Sequence, residues 1–296
     1  MSIAIHTEPP TAETLERKPR EDEIDFYGLT HQGKVRKSNN DHFLVASLHK
    51  RMEVRLTSIP DLAQNTHFDQ RLAFIAMVAD GVGGSEGGEE ASRIALENVT
   101  EFIGTSLQAY YSTANASDEV FRDALQSAAS HSHEIVLARA AERADARKRA
   151  TTLTLWLGVW PWAYVLQVGD SRYYIYRDGE LVQITRDQTY AQDLVDAGAL
   201  SRDQAKDSPL KNVLSSAIGG KETLPVVTRL TANWKNVHLM CSDGLTKHVT
   251  DAEMEKAFST IQSSEQLVRD LLELALSRGG TDNITIIAAR APIKKT

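Results

Sequence analysis

Three apolar runs in this sequence stop at an aspartate: LAFIAMVAD at 72–80, AYVLQVGD at 163–170 and VHLMCSD at 237–243. A fourth, NITIIAAR at 283–290, starts directly after Asp282. Such runs are too short to cross a membrane and too continuous for a half-exposed strand, so each predicts a strand buried on both faces. Several strands of this kind need cover on both sides. If those strand ends converge, their terminal carboxylates meet in one place.

The remaining pattern supplies that cover. IDFYGLT and HFLVASL read as strands, and KRMEVRLTSIPDLAQNTHFDQ as a long hairpin excursion before LAFIAMVA. Ala91, Ile94, Ala95, Val99, Phe102 and Ile103 recur at helical spacing, predicting a helix over 89–105, and a second follows over 117–148 with Ser117 as N-cap. TTLTLWLGVW, AYVLQVG and SRYYIYR, rich in β-branched and aromatic residues, read as a meander. LVQIT follows an Asp178-Gly179 turn, residues 187–222 are polar with a helical patch at TYAQDLVDAG, and VVTRL is a further strand. DAEMEKAF and SEQLVRDLLELALSR read as helices. Strands and helices come in blocks rather than in βαβ alternation, which implies an α+β layered domain. Residues 1–22 lack periodicity and read as a flexible tail, leaving 23–292 as a single domain with 42% hydrophobic residues in the whole chain to build its core.

Charge and cysteine usage exclude several classes. A formal net charge of -7 argues against a broad nucleic-acid footprint. Cys241 is the sole cysteine, so neither an intrachain disulfide nor a Cys-based zinc cluster can form, and a reducing cytoplasm is the expected location. Neither an apolar leader segment nor a membrane-length run is present, so no membrane partner is expected.

The chemistry is carried by aspartates. VADGVGGSEGGEEAS at 78–92 invites a phosphate-loop reading but lacks GxxxxGK[ST], and Glu86 stands where GxGxxG needs its last glycine. Asp80-Gly81 taken alone reads as a turn, as Asp178-Gly179 does. Asp41, Asp80, Asp170, Asp243 and Asp282 all flank apolar strands, however, and if those ends converge the carboxylates need compensating charge. Oxygen ligands without His or Cys favour Mg²⁺ or Mn²⁺ over zinc, and the Gly81 carbonyl offers a further oxygen.

GKVRKSNND (33–41), VADGVGG (78–84), ATTLTLW (150–156), VGDSRYYIYRDGEL (168–181), NVLSSAIGG (212–220), LMCSDGLTKHV (239–249) and GGTDNITII (279–287) stand in the order found in one family. The chain resembles the metal-dependent protein phosphatases of the protein phosphatase 2C type, in their bacterial form. The resemblance implies an α-β-β-α sandwich of two antiparallel sheets and a protein serine/threonine phosphatase with two Mn²⁺ or Mg²⁺ ions. It also implies a metal-activated bridging hydroxide attacking the phosphomonoester. On this basis Asp41, Asp80, Gly81, Asp243 and Asp282 correspond to the metal centre, Asp170 to a third ion, and Arg36 to the substrate-phosphate arginine, whose planar fork suits two phosphate oxygens. Phosphoserine and phosphothreonine proteins, with a cognate serine/threonine kinase among them, are the implied partners.

Three positions depart from common family patterns. Asn40 replaces a frequent Glu, Val82 replaces the His serving animal members as general acid, and Gln188 stands where relatives often have His, at the start of a flap-like segment over 187–211. His31, His42 and His248 are assigned no role. Cys241 and Trp156, Trp160, Trp162 and Trp234 are expected to be packing residues. The competing readings are a catalytically inactive phosphoprotein-binding module using Arg36, and a phosphatase of small phosphomonoesters.

Overall fold

A computed structural model describes residues 17–52, 68–82, 85–111, 118–142 and 149–291. The apolar runs become paired strands: β1 (Asp25–His31), β2 (Asp41–Met52), β3 (Phe68–Val82), β4 (Ala150–Thr151), β5 (Leu153–Val159), β6 (Trp162–Val168), β7 (Arg172–Arg177), β8 (Glu180–Gln183), β9 (Val226–Thr231), β10 (Val237–Cys241) and β11 (Ile284–Arg290). The helices are α1 (Ser85–Tyr111), α2 (Asp118–Ala141), α3 (Tyr190–Asp196), α4 (Arg202–Lys206), α5 (Asp243–Thr246), α6 (Asp251–Ser259) and α7 (Ser264–Ser277).

One sheet has the order β1-β11-β10-β7-β8; the other runs β2-β3-β5-β6-β9, with β4 set against β3. All pairings are antiparallel. The α+β class read from the sequence and the α-β-β-α layering that the family resemblance implies both hold.

Alternation along β3 shows how the layers are made. Ala73, Ile75, Met77 and Ala79 pack with Ala91, Ile94, Val99, Leu125 and Val136 of α1 and α2. Ala76 and Val78 face the other sheet, meeting Tyr173, Met240 and Ile287. This two-sided burial explains why the run is apolar throughout. The opposite outer face is covered by Met254, Phe258, Leu267, Val268 and Leu271 of α6 and α7. Burying each such Leu or Val side chain contributes roughly 1.5 to 3 kcal/mol. Among the described residues no helix is long and apolar enough to cross a membrane.

The structure corrects several expectations. The meander does not form: β6 pairs with β5 and β9, whereas β7 pairs with β8 and β10 in the other sheet. Between them Gly169 adopts φ 101°, and a Cβ there would lie 2.6 Å from Thr152 Cγ2, so only glycine makes this corner. The first helix starts at Ser85, earlier than its apolar spacing suggests, and takes Gly87 and Gly88 into its opening turns. The second ends at Ala141, while Ser117, 143–148 and residues 53–67 of the expected hairpin excursion lie outside the described residues. Residues 17–22, grouped with the tail on composition, are tied to the domain at their start: Trp234 Nε1 donates to the Arg17 carbonyl at 2.8 Å, and Lys18 bonds the Arg71 carbonyl. The rest of the tail, 1–16, lies outside the described residues.

Candidate active site

Strand register brings the aspartates together. Asp41, the first residue of β2, is the direct cross-strand partner of Asp80 on β3. The other sheet supplies Asp243, just past the end of β10, and Asp282, just before β11. Asp170 sits on the short link that crosses from β6 to β7. Asp80, Asp170, Asp243 and Asp282 line one cleft of about 490 Å³ with Arg36, Gly81 and Lys247, and residues 212–217 and 220–222 form its far wall. Asp41 lies beneath, 3% exposed.

Like charges opposite one another in a sheet destabilise it, and the titration of these groups reflects that. Burial, with Asp243 and Asp282 nearby, pushes the Asp41 carboxyl up to about 6 despite hydrogen bonds from Ser242 and Thr285. Those hydroxyls both donate to Asp41 Oδ2 at 2.7 Å. Burial and then Asp243 push Asp170 up to about 8. Asp80 is raised well above the carboxylate range by burial and by Asp41, Asp243, Asp170 and Asp282. Asp41 Oδ1 and Asp243 Oδ1 are buried acceptors without a hydrogen-bond partner, an arrangement that costs free energy unless a cation or donor meets them.

Asp282 is the exception. Arg36 Nε and Nη2 donate to its Oδ1 and Oδ2 at 2.6 and 2.8 Å, and Lys247 Nζ donates to Oδ2 at 2.6 Å. Burial pushes this carboxyl up, but the hydrogen bonds from Arg36 and Lys247 outweigh it and hold the group below its usual value. The loop carrying Arg36 is fastened by Asn283, whose Nδ2 donates to the Gln32 and Ser38 carbonyls at 2.9 and 2.8 Å. Lys247 was given no role by sequence reasoning. Its one signal is the i,i+4 spacing from Asp243, whose Oδ2 it also reaches at 2.6 Å.

The glycines beside Asp80 serve close packing. A Cβ on Gly81 would lie 2.2 Å from the Gly88 carbonyl, and one on Gly88 would lie 2.7 Å from the Gly81 carbonyl, so the end of β3 and the start of α1 touch backbone to backbone. Asn40 is 8% exposed and accepts a hydrogen bond from Ser38 Oγ at 3.1 Å. Gln188 holds the Gly169 corner: its Oε1 accepts from Gly169 N at 2.7 Å and its Nε2 donates to the Leu224 carbonyl at 2.8 Å. Val82 is exposed at the cleft, and no histidine lines that cleft among the described residues. His42 bonds Ser92, His31 accepts from Gly33 N, and His248 accepts from Thr281 N. Cys241 is fully buried, its thiol pushed up to about 12 by burial, as suits a core residue.

Oxygen donors with two orphaned buried acceptors suit hard divalent cations. Among the described residues no three His, Cys, Asp or Glu side chains close around one point as they stand; Asp243 and Asp282 are turned onto Lys247 and Arg36 instead. The residues therefore fit divalent ions in kind, with two of the carboxylates engaged elsewhere.

The family model described as Protein phosphatase 2C matches residues 61–281. Among curated proteins, the serine/threonine protein phosphatase PstP of Mycobacterium tuberculosis is 33% identical over 220 residues, which cover 73% of this chain and 40% of that protein. The chain thus spans well under half of that relative's length. The serine/threonine phosphatase stp of Listeria monocytogenes is 30% identical over 214 residues, covering 72% of this chain and 82% of that protein. Among solved structures, the catalytic domain of PstP in complex with two manganese ions superposes with a TM-score of 0.68 at 28% identity, over 90% of this chain and 97% of that one.

Proposed function

Because the chain belongs to the protein phosphatase 2C family, we propose that it is a metal-dependent protein serine/threonine phosphatase, hydrolysing phosphomonoesters on proteins. The observation carrying this reading is the convergence of four strand-end aspartates from both sheets at one cleft that also presents Arg36, with a fifth, Asp41, paired across the strands to Asp80. Asp41, Asp80, Asp243 and Asp282, with the Gly81 carbonyl, would hold two divalent ions, Mn²⁺ or Mg²⁺, and Asp170 would serve a third. When bound, such ions supply positive charge and lower the pKa of water towards about 7, giving a hydroxide nucleophile at neutral pH.

The chain's own residues do the remainder. Arg36 exchanges its Asp282 contact for two phosphate oxygens, which its guanidinium fork matches. Ser242 and Thr285 orient Asp41 by fixing Oδ2 and leaving Oδ1 free. Val82 donates no proton to the leaving alkoxide. The segment 187–211 shapes access, since Asp187, Gln192, Arg202 and Lys206 from it line a second cavity that shares Asp170, Asp243 and Lys247 with the cleft.

Phosphoserine and phosphothreonine proteins, including a cognate serine/threonine kinase, form the substrate class that the family likeness supports, and the lone cysteine supports a reducing cytoplasm. An inactive phosphoprotein-binding module is not favoured, because Asp41, Asp80, Asp243 and Asp282 are all present and Asn40, in place of a frequent Glu, is the single feature on the other side. Hydrolysis of p-nitrophenyl phosphate and of a phosphothreonine peptide, with EDTA, Mg²⁺ or Mn²⁺, tests the proposal. Metal-dependent turnover that is lost in Asp80→Asn is expected; no turnover with any metal would overturn it.

A further inference from the structure

Of the nine large hydrophobic side chains exposed among the described residues, three gather at one place. Val82, Tyr190 and Val213 are 41%, 44% and 42% exposed, and all three line the active-site cleft, together with Ala150 and Ala217. A single exposed apolar residue is ordinary on a protein surface, but a cluster beside a charged site marks a contact surface.

Main-chain pairing fixes the cluster in place. Val82, the last residue of β3, pairs with Ala150 of β4. Thr151, next along β4, exchanges backbone hydrogen bonds with Ile218 at 2.9 Å in each direction, which carries the wall on to Ala217. At the other end Tyr190 N donates to the Val213 carbonyl at 2.9 Å and Ser215 N to the Gln188 carbonyl at 3.0 Å, so the start of α3 is held against 213–215. Thr189 caps that helix, its side chain accepting from Gln192 N. A wall set by so many backbone bonds needs little ordering when a ligand arrives. Lys221 and Glu222 add one charge of each sign to it, so by charge it favours neither an acidic nor a basic neighbour.

We propose that this wall reads the residues beside the phosphorylated one: the phosphate sits at Arg36, and an apolar side chain next to the phosphoserine or phosphothreonine packs on Val82, Tyr190 and Val213. The substrates are then phosphoprotein segments with Leu, Ile, Val, Met or Phe within two positions of the phosphoresidue. This inference rests on the phosphatase reading and names the sequence context that the site accepts. Packing such a side chain removes apolar surface of both partners from water. The flank is bound alike before and during the reaction, so the preference shows in KM more than in kcat.

The experiment uses the full chain with Mn²⁺ and phosphothreonine peptides in which Leu, Gln, Glu or Lys stands in turn at each of the two positions on either side of the phosphothreonine. At the best position kcat/KM for Leu should exceed that for Gln about fivefold or more, less than full burial of a leucine gives because the side chains form a wall and not a closed pocket. Tyr190→Ser and Val213→Ser should each shrink that ratio towards one, and Val213→Lys should turn the preference to Glu at the same position. Each variant is read as a ratio between two peptides on one preparation, so a misfolded fraction cancels, and the wild-type panel stands without any variant.

Wild type that hydrolyses p-nitrophenyl phosphate but treats Leu and Gln peptides alike to within about twofold at every position, or favours Glu or Lys, would overturn this inference and leave the phosphatase reading standing. Variants that keep the wild-type ratio would overturn it as well. No turnover of any substrate would overturn both.

Discussion

The two ends of the sandwich share β3 and β10 and differ in chemistry. At one end β3, β10 and β11 bring Asp80, Asp243 and Asp282 together, with buried acceptors left unpaired. At the other, β3, β5 and β10 enclose an apolar cavity of about 110 Å³ lined by Phe26, Phe74, Trp156, Trp162, Tyr173 and His238. Aromatic contacts dominate there: Phe26 to Phe74 at 5.5 Å, Phe74 to Trp156 at 6.4 Å, and Trp156 to His238 at 5.3 Å. The contrast teaches that one end supplies the cohesion that lets the other hold repelling charges in place.

The largest test of that division is Asp80→Asn. With Mn²⁺ its turnover should fall on the order of a hundred- to a thousandfold, while the metal-free variant should melt above wild type because it no longer buries a carboxyl whose ionisation burial and the neighbouring aspartates oppose. A lower melting temperature would mean that the acid end is not under repulsion. At the other end Phe74→Ala should cost about 3 to 5 kcal/mol in urea denaturation. Turnover per folded molecule should change by no more than about twofold, since distant sites act independently; a large loss of activity would show that the ends are coupled. Gln188→Ala, which strips the Gly169 N–H of its partner, should cost about 1 to 3 kcal/mol and lower turnover more than Phe74→Ala does. Equal turnover in the two variants would remove Gln188 from the positioning of Asp170.

The subtlest difference is in pH dependence. Asp41 and Asp170 hold protons in the native state up to about 6 and about 8, long after the unfolded chain has released them near pH 4. Metal-stripped protein therefore loses stability as the pH rises from about 4 to about 8. His238 is pushed down to about 4 by burial, so its end loses stability as the pH falls below about 6.5, where the unfolded chain takes up the proton. Between about pH 4 and 6 the two carboxyls outweigh the one histidine, so the melting temperature of metal-stripped protein should fall as the pH rises. His238→Phe should steepen that fall below about pH 6.5, and Mn²⁺ should flatten it; a slope that His238→Phe leaves unchanged would remove the histidine from this account.

Much of this was readable from the sequence because strands buried on both faces must be apolar at every position, which makes LAFIAMVA and NITIIAAR visible without knowing their neighbours. The aspartates were visible for the same reason, as polar stops on apolar runs. What stayed hidden depended on tertiary partners. A turn at Gly169 looks alike whether the next strand returns to its own sheet or joins another, so the crossing to β7 read as a meander. Gly88 in the opening turns of α1 is a poor helix former, and only its contact with the end of β3 explains it. Lys247 carried an i,i+4 signal to Asp243, but its second carboxylate lies far along the chain at Asp282.

The link between β6 and β7 has a mechanical consequence. From Val168 to Arg172 the chain takes four Cα steps, at most roughly 14 Å when extended, and in that span it must pass between sheets that stack about 10 Å apart. It is a short tether with little slack, and it carries Asp170. The sandwich is thus stitched at both margins, since residues 232–236 carry the chain from β9 to β10 beside the aromatic cavity just as this link does at the acid edge: neither edge can open like the free side of a book, and the spacing between the two sets of carboxylates is set by covalent chain as well as by packing.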